Sequence, residues 1–560
     1  MSGQAENGMN WTADTENGHY RREANCTVLT PLLFLKKASM ASPERTAIVY
    51  GNVRRNYRET YRRCCAYASA LNQRGIGQGN TVAIIAPNTP ALYESHFGIA
   101  MAGAVINPLN IRLDAKSLAQ QIEYGEACIF LVDPQFAEVA RAALSMVRRQ
   151  VLVIDIEDPA YAPDIRVGEL TYEELLAEGD PLFDWALPSD EFAPISLSFT
   201  SGTTGMPKGV VANHRGVCIN AFSQLICWNV QQYPVYLWTL PMFHCNGWGF
   251  AWSIAAKSGV NVFMRKFDPE RAATLILQEK VTHLCGVPIV YDMLLKVFLL
   301  KGLQLSHTVN GIVGGAALSV STIKDAAQVG LELVHGYGLT ETYGGPALFC
   351  YKQEDWSELP LMDQARLNAR QGLVSLGVQD VAVISDLETM TPLVADGVSV
   401  GEVMIRGNAI MSGYFKDEKA TDAAFAGGWF HTGDLAVMDP DGYVRIVDRA
   451  KDIIVSGGEN ISSMEIEVVL LSHPLVEYAA VVAKPDSVWG EVPCAFIQLR
   501  SEQVVSEMDI LEHCRKHLAG FKMPKAIVFG VLPRTATGKV QKHELRRRIA
   551  DFPAEQIFAA

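Results

Sequence analysis

The chain has 560 residues, 49% of them apolar, and a formal charge of −13, which gives length for several folding units and a surface field that disfavours nucleic acid. Its 11 cysteines include no Cys-x-x-Cys pair and only one close couple, Cys64-Cys65, so a disulfide framework and a cysteine zinc site are both disfavoured. No apolar run reaches the roughly 18 to 20 residues of a membrane span, the acidic stretch before Cys26 resembles no secretory or mitochondrial signal, and the Ile-Phe-Ala-Ala ending is not the peroxisomal tripeptide; a cytoplasmic protein is expected.

Residues 1–27 read as a flexible arm. From Leu29 onward an apolar helical segment (Leu32 to Met40), a strand pair around Gly51 and a helix (Tyr57 to Gly75) lead into the apolar strand Thr81 to Ala86. A helix through Tyr93 to Gly103 and strands at Ala104, Cys128 to Asp133 and Val151 to Asp155 continue the alternation of buried strand and helix. That alternation implies a largely parallel sheet covered on both faces. Further strands are expected at Ile195, Val235 to Leu240, Val260 to Phe263, Thr282 to Val287 and Gly311 to Val313. Shorter alternating strands from Leu373 to Val447 suggest a β-rich subdomain. The charged run Asp448-Arg449-Ala450-Lys451-Asp452 then opens a remainder of about 110 residues, long enough for a compact α+β unit. The expected division is an arm over 1–27, an α/β domain over 28–448 and a C-terminal domain over 449–560.

The densest chemistry lies in Thr200-Ser-Gly-Thr-Thr-Gly-Met-Pro-Lys-Gly209, directly after a strand-like segment. Glycines (Gly202, Gly205) let backbone N–H groups converge, hydroxyls (Thr200, Ser201, Thr203, Thr204) donate to anionic oxygens, and Lys208 supplies charge, as a polyphosphate requires. The spacing is not that of a Walker A loop, because Met206 and Pro207 precede the lysine and Gly209 follows it. A plain Gly/Ser/Thr turn is the bland alternative. Gly314-Gly-Ala-Ala-Leu-Ser319 is a weaker signal, since small residues serve close ring approach and tight packing equally. In His335-Gly-Tyr-Gly-Leu-Thr-Glu-Thr342, Tyr337 offers a flat face, Thr340 a hydroxyl and Glu341 a hard oxygen ligand for Mg²⁺. Asp434, closing Gly427 to Asp434, can accept two hydroxyls, and Arg449 can fork onto oxygen acceptors.

Taken together, these stretches closely resemble the adenylate-forming superfamily, and within it the acyl-CoA synthetases; at least five motifs occur in that family's order. The resemblance implies ATP and CoA as co-substrates, Mg²⁺ as cofactor and a small carboxylic acid as the third partner, with a homodimer among the assemblies left open. It implies nucleotide contacts from Thr200 to Gly205, Lys208, Gly315, Ala316, Ala317, His335, Gly336, Tyr337, Asp434 and Arg449, with Thr340, Glu341 and Lys539 at the chemistry and Glu341 on the metal. His244 and Trp248 would border the acyl pocket, although a buried histidine satisfied by a carbonyl is the bland reading for His244. Gly338 stands where acetate-specific relatives carry tryptophan, so chains longer than acetate are expected. Val235 to Ala256 holds no acidic residue, which disfavours an amino-acid substrate because its buried ammonium would go unpaired. Lys451 would be the pivot of a mobile C-terminal domain, and Gly457, Gly458 and Glu459 would edge a slot for pantetheine. The alternatives are an adenylation module loading a carrier protein, a 3-methylmercaptopropionate-type ligase, and a non-catalytic nucleotide-binding protein.

Overall fold

The computed structural model describes residues 24–158, 161, 165–200, 207–315, 319–500, 505–534 and 540–551. Two sheets carry the bulk of the chain. The first runs in the order Gly413–Tyr414, Gly209–Asn213, Pro194–Phe199, Val105–Pro108, Thr81–Ile85, Ala127–Val132, Leu152–Asp155, Leu170–Thr171. Its strands are parallel except at the end holding Pro194–Phe199, Gly209–Asn213 and Gly413–Tyr414. The second contains Leu331–Tyr337, Val309–Val313, His283–Gly286, Val235–Trp238, Val260–Phe263 and Thr46–Tyr50 as neighbouring parallel strands, with short antiparallel strands at both edges. These strands read as continuous apolar runs because helices cover both faces.

Helix Pro90–Met101 is buried at all of its positions, yet it holds Glu94. Burial alone would raise that carboxyl's pKa, but the guanidinium groups of Arg63 and Arg55 and the Tyr172 hydroxyl outweigh it and keep the group ionised. Helix Tyr57–Gln73 presents Arg63 to it and begins at a reciprocal cap between Asn56 and Glu59. A four-stranded antiparallel sheet, Val378–Ile384, Gly401–Gly407, Phe430–Met438 and Val444–Arg449, forms the expected β-rich part. Beyond it, Glu459–Ile461, Ile454–Ser456, Gly490–Leu499 and Val476–Asp486 form another sheet, to which Ala526–Phe529 adds in parallel. The apolar side chains from Ile454 to Ile549 pack into clusters of their own.

Candidate active site

The glycine- and hydroxyl-rich stretch is the connection of an antiparallel pair. Phe199 lies opposite Gly209, and the Thr200 N–H donates to the Lys208 carbonyl at 3.0 Å, so the two ends of the loop are tied. Ser201, Gly202, Thr203, Thr204 and Gly205 lie outside the described residues. The Lys208 ammonium stands 4.5 Å from the centroid of the Tyr414 ring. Tyr414 comes from the edge strand beside Gly209–Asn213, opposite Val210, and its hydroxyl donates to Glu341 Oε1 at 2.9 Å. Burial and the adjacent Glu341 carboxylate raise the Tyr414 pKa, which keeps the hydroxyl protonated as a donor. Tyr414 thus bridges the loop lysine and the expected metal ligand, a role the sequence reading missed.

A second convergence surrounds Asp434, which is 3% exposed. Its strand pairs with Val444–Arg449 so that Asp434 faces Arg449, and Arg449 Nε meets Asp434 Oδ1 at 2.8 Å. The Tyr337 hydroxyl donates to Asp434 Oδ2 at 2.6 Å. The residues expected to hold a base and a ribose therefore meet through their own hydrogen bonds. Gly336 leaves no room for a side chain, since a Cβ there would stand 2.8 Å from Pro346 Cγ. Gly315 takes a left-handed φ of 78° at the end of Val309–Val313; Ala316 and Ala317 lie outside the described residues. His335 is buried, and its Nδ1 bonds the Ala369 carbonyl at 2.9 Å, which ties down the strand that ends in Tyr337.

The segment from His244 onward has an unusual backbone. Cys245, Asn246, Gly247, Trp248 and Gly249 all take positive φ, at 44°, 47°, 57°, 55° and 81°, making a turn of left-handed helix that costs about 1 to 2 kcal/mol at each non-glycine position. Several contacts hold it. Asn246 Oδ1 accepts from the hydroxyls of Ser196 at 2.6 Å and Ser198 at 3.0 Å, and Gln224 Nε2 donates to the Trp248 carbonyl at 2.6 Å. The turn brings Cys245 Sγ to 3.2 Å from the Thr340 hydroxyl and lays the Trp248 indole against Gly314 and Gly344. Burial pushes the Cys245 thiol up to about 12, so it is no thiolate nucleophile at neutral pH. His244 sits half-buried at the start of this turn. At Gly338 a Cβ would run into the Gly345 carbonyl, so the absent side chain allows close backbone packing there.

On the C-terminal side, Gly457 and Gly458 form the two-residue turn of a hairpin, with φ of 61° and 89°, the conformation that a tight turn of this kind demands. A Cβ on Gly457 would stand 2.7 Å from the Trp489 ring, whereas nothing lies within 4 Å of one on Gly458; Glu459 follows, exposed. Burial and the guanidinium groups of Arg449 and Arg546 hold the Lys451 ammonium below the usual lysine range. Lys539 lies outside the described residues.

A model of the family described as AMP-binding enzyme matches residues 35–415, and one for the AMP-binding enzyme C-terminal domain matches 465–539. The chain is 44% identical over 553 residues to an acetate–CoA ligase of Humulus lupulus, a match covering 95% of this chain and 97% of the relative. It is 45% identical over 547 residues to the peroxisomal acetate/butyrate–CoA ligase of Arabidopsis thaliana, covering 94% and 96%. Among solved structures, ATP-bound MatB from Rhodopseudomonas palustris superposes with a TM-score of 0.80 at 27% identity, over 93% of this chain and 99% of that one. The expected cytoplasmic placement is corrected by these relatives, several of which are named as peroxisomal. Among the described residues, no helix is long and apolar enough to cross a membrane.

Proposed function

The chain belongs to the AMP-binding enzyme family, and from that premise we propose that it is an acyl-CoA ligase, joining a small carboxylic acid to CoA with cleavage of ATP to AMP and diphosphate. The observation that carries this reading is a run of contacts in which Lys208 faces the Tyr414 ring, Tyr414 donates to Glu341, and the adjacent Thr340 meets Cys245 of the left-handed turn.

In the first step a carboxylate oxygen attacks the α-phosphorus, the bond to the β-phosphate oxygen breaks, and diphosphate leaves. Lys208 offsets phosphate charge, Thr340 donates to an α-phosphate oxygen, and Asp434 exchanges its internal donors for the ribose hydroxyls while Tyr337 lies along the base. Mg²⁺ is held elsewhere in proteins by one or two carboxylates together with substrate phosphates. Glu341 fits that pattern, because Tyr414 engages one of its oxygens and leaves the other available, and among the described residues no group of three or more His, Cys, Asp or Glu forms a dedicated cage. Bound there, the ion would neutralise charge on the phosphates. In the second step the CoA sulfur attacks the acyl carbonyl and AMP departs with the carboxylate's former oxygen.

We further assign Lys539 to adenylation, Lys451 to the pivot between residues 28–448 and 449–560, and Gly457, Gly458 and Glu459 to the path of pantetheine, all on family likeness. A panel of carboxylic acids scored by AMP release with and without CoA tests the reaction. In the same assay Lys539→Ala is expected to lose adenylation by at least a hundredfold and to keep thioester formation from preformed acyl adenylate; equal loss in both halves counts against the assignment.

A further inference from the structure

Thr340 lines a small, partly open cavity of about 10 Å³, room for about one water-sized group. Cys245, Trp252, Tyr343 and Val217 are among its walls, as are Asn220 and Asn246. Both asparagines are more than nine-tenths buried, at 3% and 5% exposure. Among the described residues, the Nδ2 of neither finds a hydrogen-bond acceptor.

Asn246 has little freedom to turn. Its Oδ1 is committed to the hydroxyls of Ser196 and Ser198, and its backbone is fixed in the left-handed turn at φ 47°. Asn220 is placed by two glycines: a Cβ on Gly249 would stand 2.9 Å from its Nδ2 and one on Gly345 would stand 2.8 Å from its Oδ1. Two buried amide donors without acceptors at one cavity are a standing cost that an incoming acceptor removes. Among the described residues its lining holds no Asp, Glu, Lys, Arg or His, so a second carboxylate would meet no counter-charge from them.

We infer that Asn220 and Asn246 select a short acid whose acyl chain carries an uncharged oxygen acceptor, a hydroxyl, carbonyl or ether, over the hydrocarbon acid of the same shape. This rests on the ligase reading and on Thr340 marking the reacting end of the acid. The cavity's size limits the substituent to about one heavy atom, and its contact with Thr340 places that atom within a few carbons of the carboxylate. Sites built to bond a substrate oxygen discriminate strongly against the analogue that lacks it, because their own polar groups are then left unmet.

The test uses two pairs matched in heavy-atom count: methoxyacetate against butyrate, and 3-hydroxybutyrate against 3-methylbutyrate. CoA-dependent AMP release by the full chain gives kcat/KM for each acid. The oxygen-bearing member is expected to lead by about tenfold or more in at least one pair. Asn220→Ala should bring that ratio close to one, and Asn220→Asp, which keeps the shape and replaces the donor by an acceptor, should bring the methoxyacetate ratio to one or below, since an ether oxygen can only accept. A wild-type ratio of one or less in both pairs overturns the inference, as does a ratio that survives Asn220→Ala. The wild-type ratio decides even where a variant does not fold. AMP release from some acids without the oxygen preference removes this inference alone, whereas no AMP release from any acid of the wider panel removes the ligase reading as well.

Discussion

Tyr414 stands where three functions meet: its ring faces the Lys208 ammonium, its hydroxyl fixes one oxygen of Glu341, and its strand extends the pair that holds the phosphate-loop ends. Hydrogen bonds that orient a metal-ligating carboxylate are worth about 10- to 100-fold in metal affinity. Tyr414→Phe keeps the ring and loses only the hydroxyl, so the KM for Mg-ATP in carboxylate-dependent pyrophosphate exchange should rise about tenfold at an unchanged melting temperature. Tyr414→Leu should cost more, since the face under Lys208 also goes. An unaltered Mg²⁺ dependence in both would remove the bridge from the mechanism. Lys208, Thr340 and Glu341 could be singled out as candidates in the sequence because each stands in a short run whose residue types suggest a chemistry, and the structure links Lys208 and Glu341 through Tyr414. Tyr414 could not, because its partner Glu341 is 73 positions away and a tyrosine in a Gly-Tyr pair announces no role. For His335 the motif suggested a nucleotide contact, and the structure adds a hydrogen bond to the Ala369 carbonyl that no local pattern announces.

Among the elements, strand and helix alternation was readable throughout, since buried parallel strands leave apolar runs whatever their neighbours are. The left-handed turn Cys245–Gly249 was not. Gly247, Gly249 and Asn246 tolerate positive φ, but Cys245 and Trp248 do not favour it; the conformation comes from Ser196, Ser198 and Gln224 on distant segments. Its tolerance for change is small. A Cβ on Gly247 would lie 2.5 Å from Trp238 Cζ3 at a φ of 57°, so Gly247→Ala combines backbone strain with overpacking and should lower stability by about 3 kcal/mol. Urea unfolding monitored by circular dichroism checks this, and a midpoint equal to that of the parent chain would show that the turn yields. The Gly457-Gly458 hairpin is the simpler case, because two adjacent glycines at positive φ are what a two-residue turn asks of a sequence.

For the molecule as a whole, buried neutral histidines set the response to acid. Burial pushes His96, His214 and His283 down to about 4 from an ordinary 6.5, with the Leu92 carbonyl partly opposing the shift at His96. The unfolded chain therefore binds more protons than the folded one between these values, and stability is complete above pH 6.5. Below it, stability falls as pH drops toward 4, by up to about 3 kcal/mol per histidine. Melting temperatures at pH 7.5 and 5.0 should differ by several degrees, with His283→Asn narrowing the gap; a flat profile would contradict the burial. Asp434 has a different consequence at this scale. On the proposed reading, a ribose at Asp434 would meet a carboxylate already held by Tyr337 and Arg449, one donor on each oxygen, so its diol would either share those oxygens or displace the donors, and displacement would lower the net affinity by the worth of the bonds lost. Arg449 lies two positions before Lys451, so on the same reading a displaced Arg449 would transmit the sugar's arrival to the strand end at the proposed pivot before any other stretch of backbone.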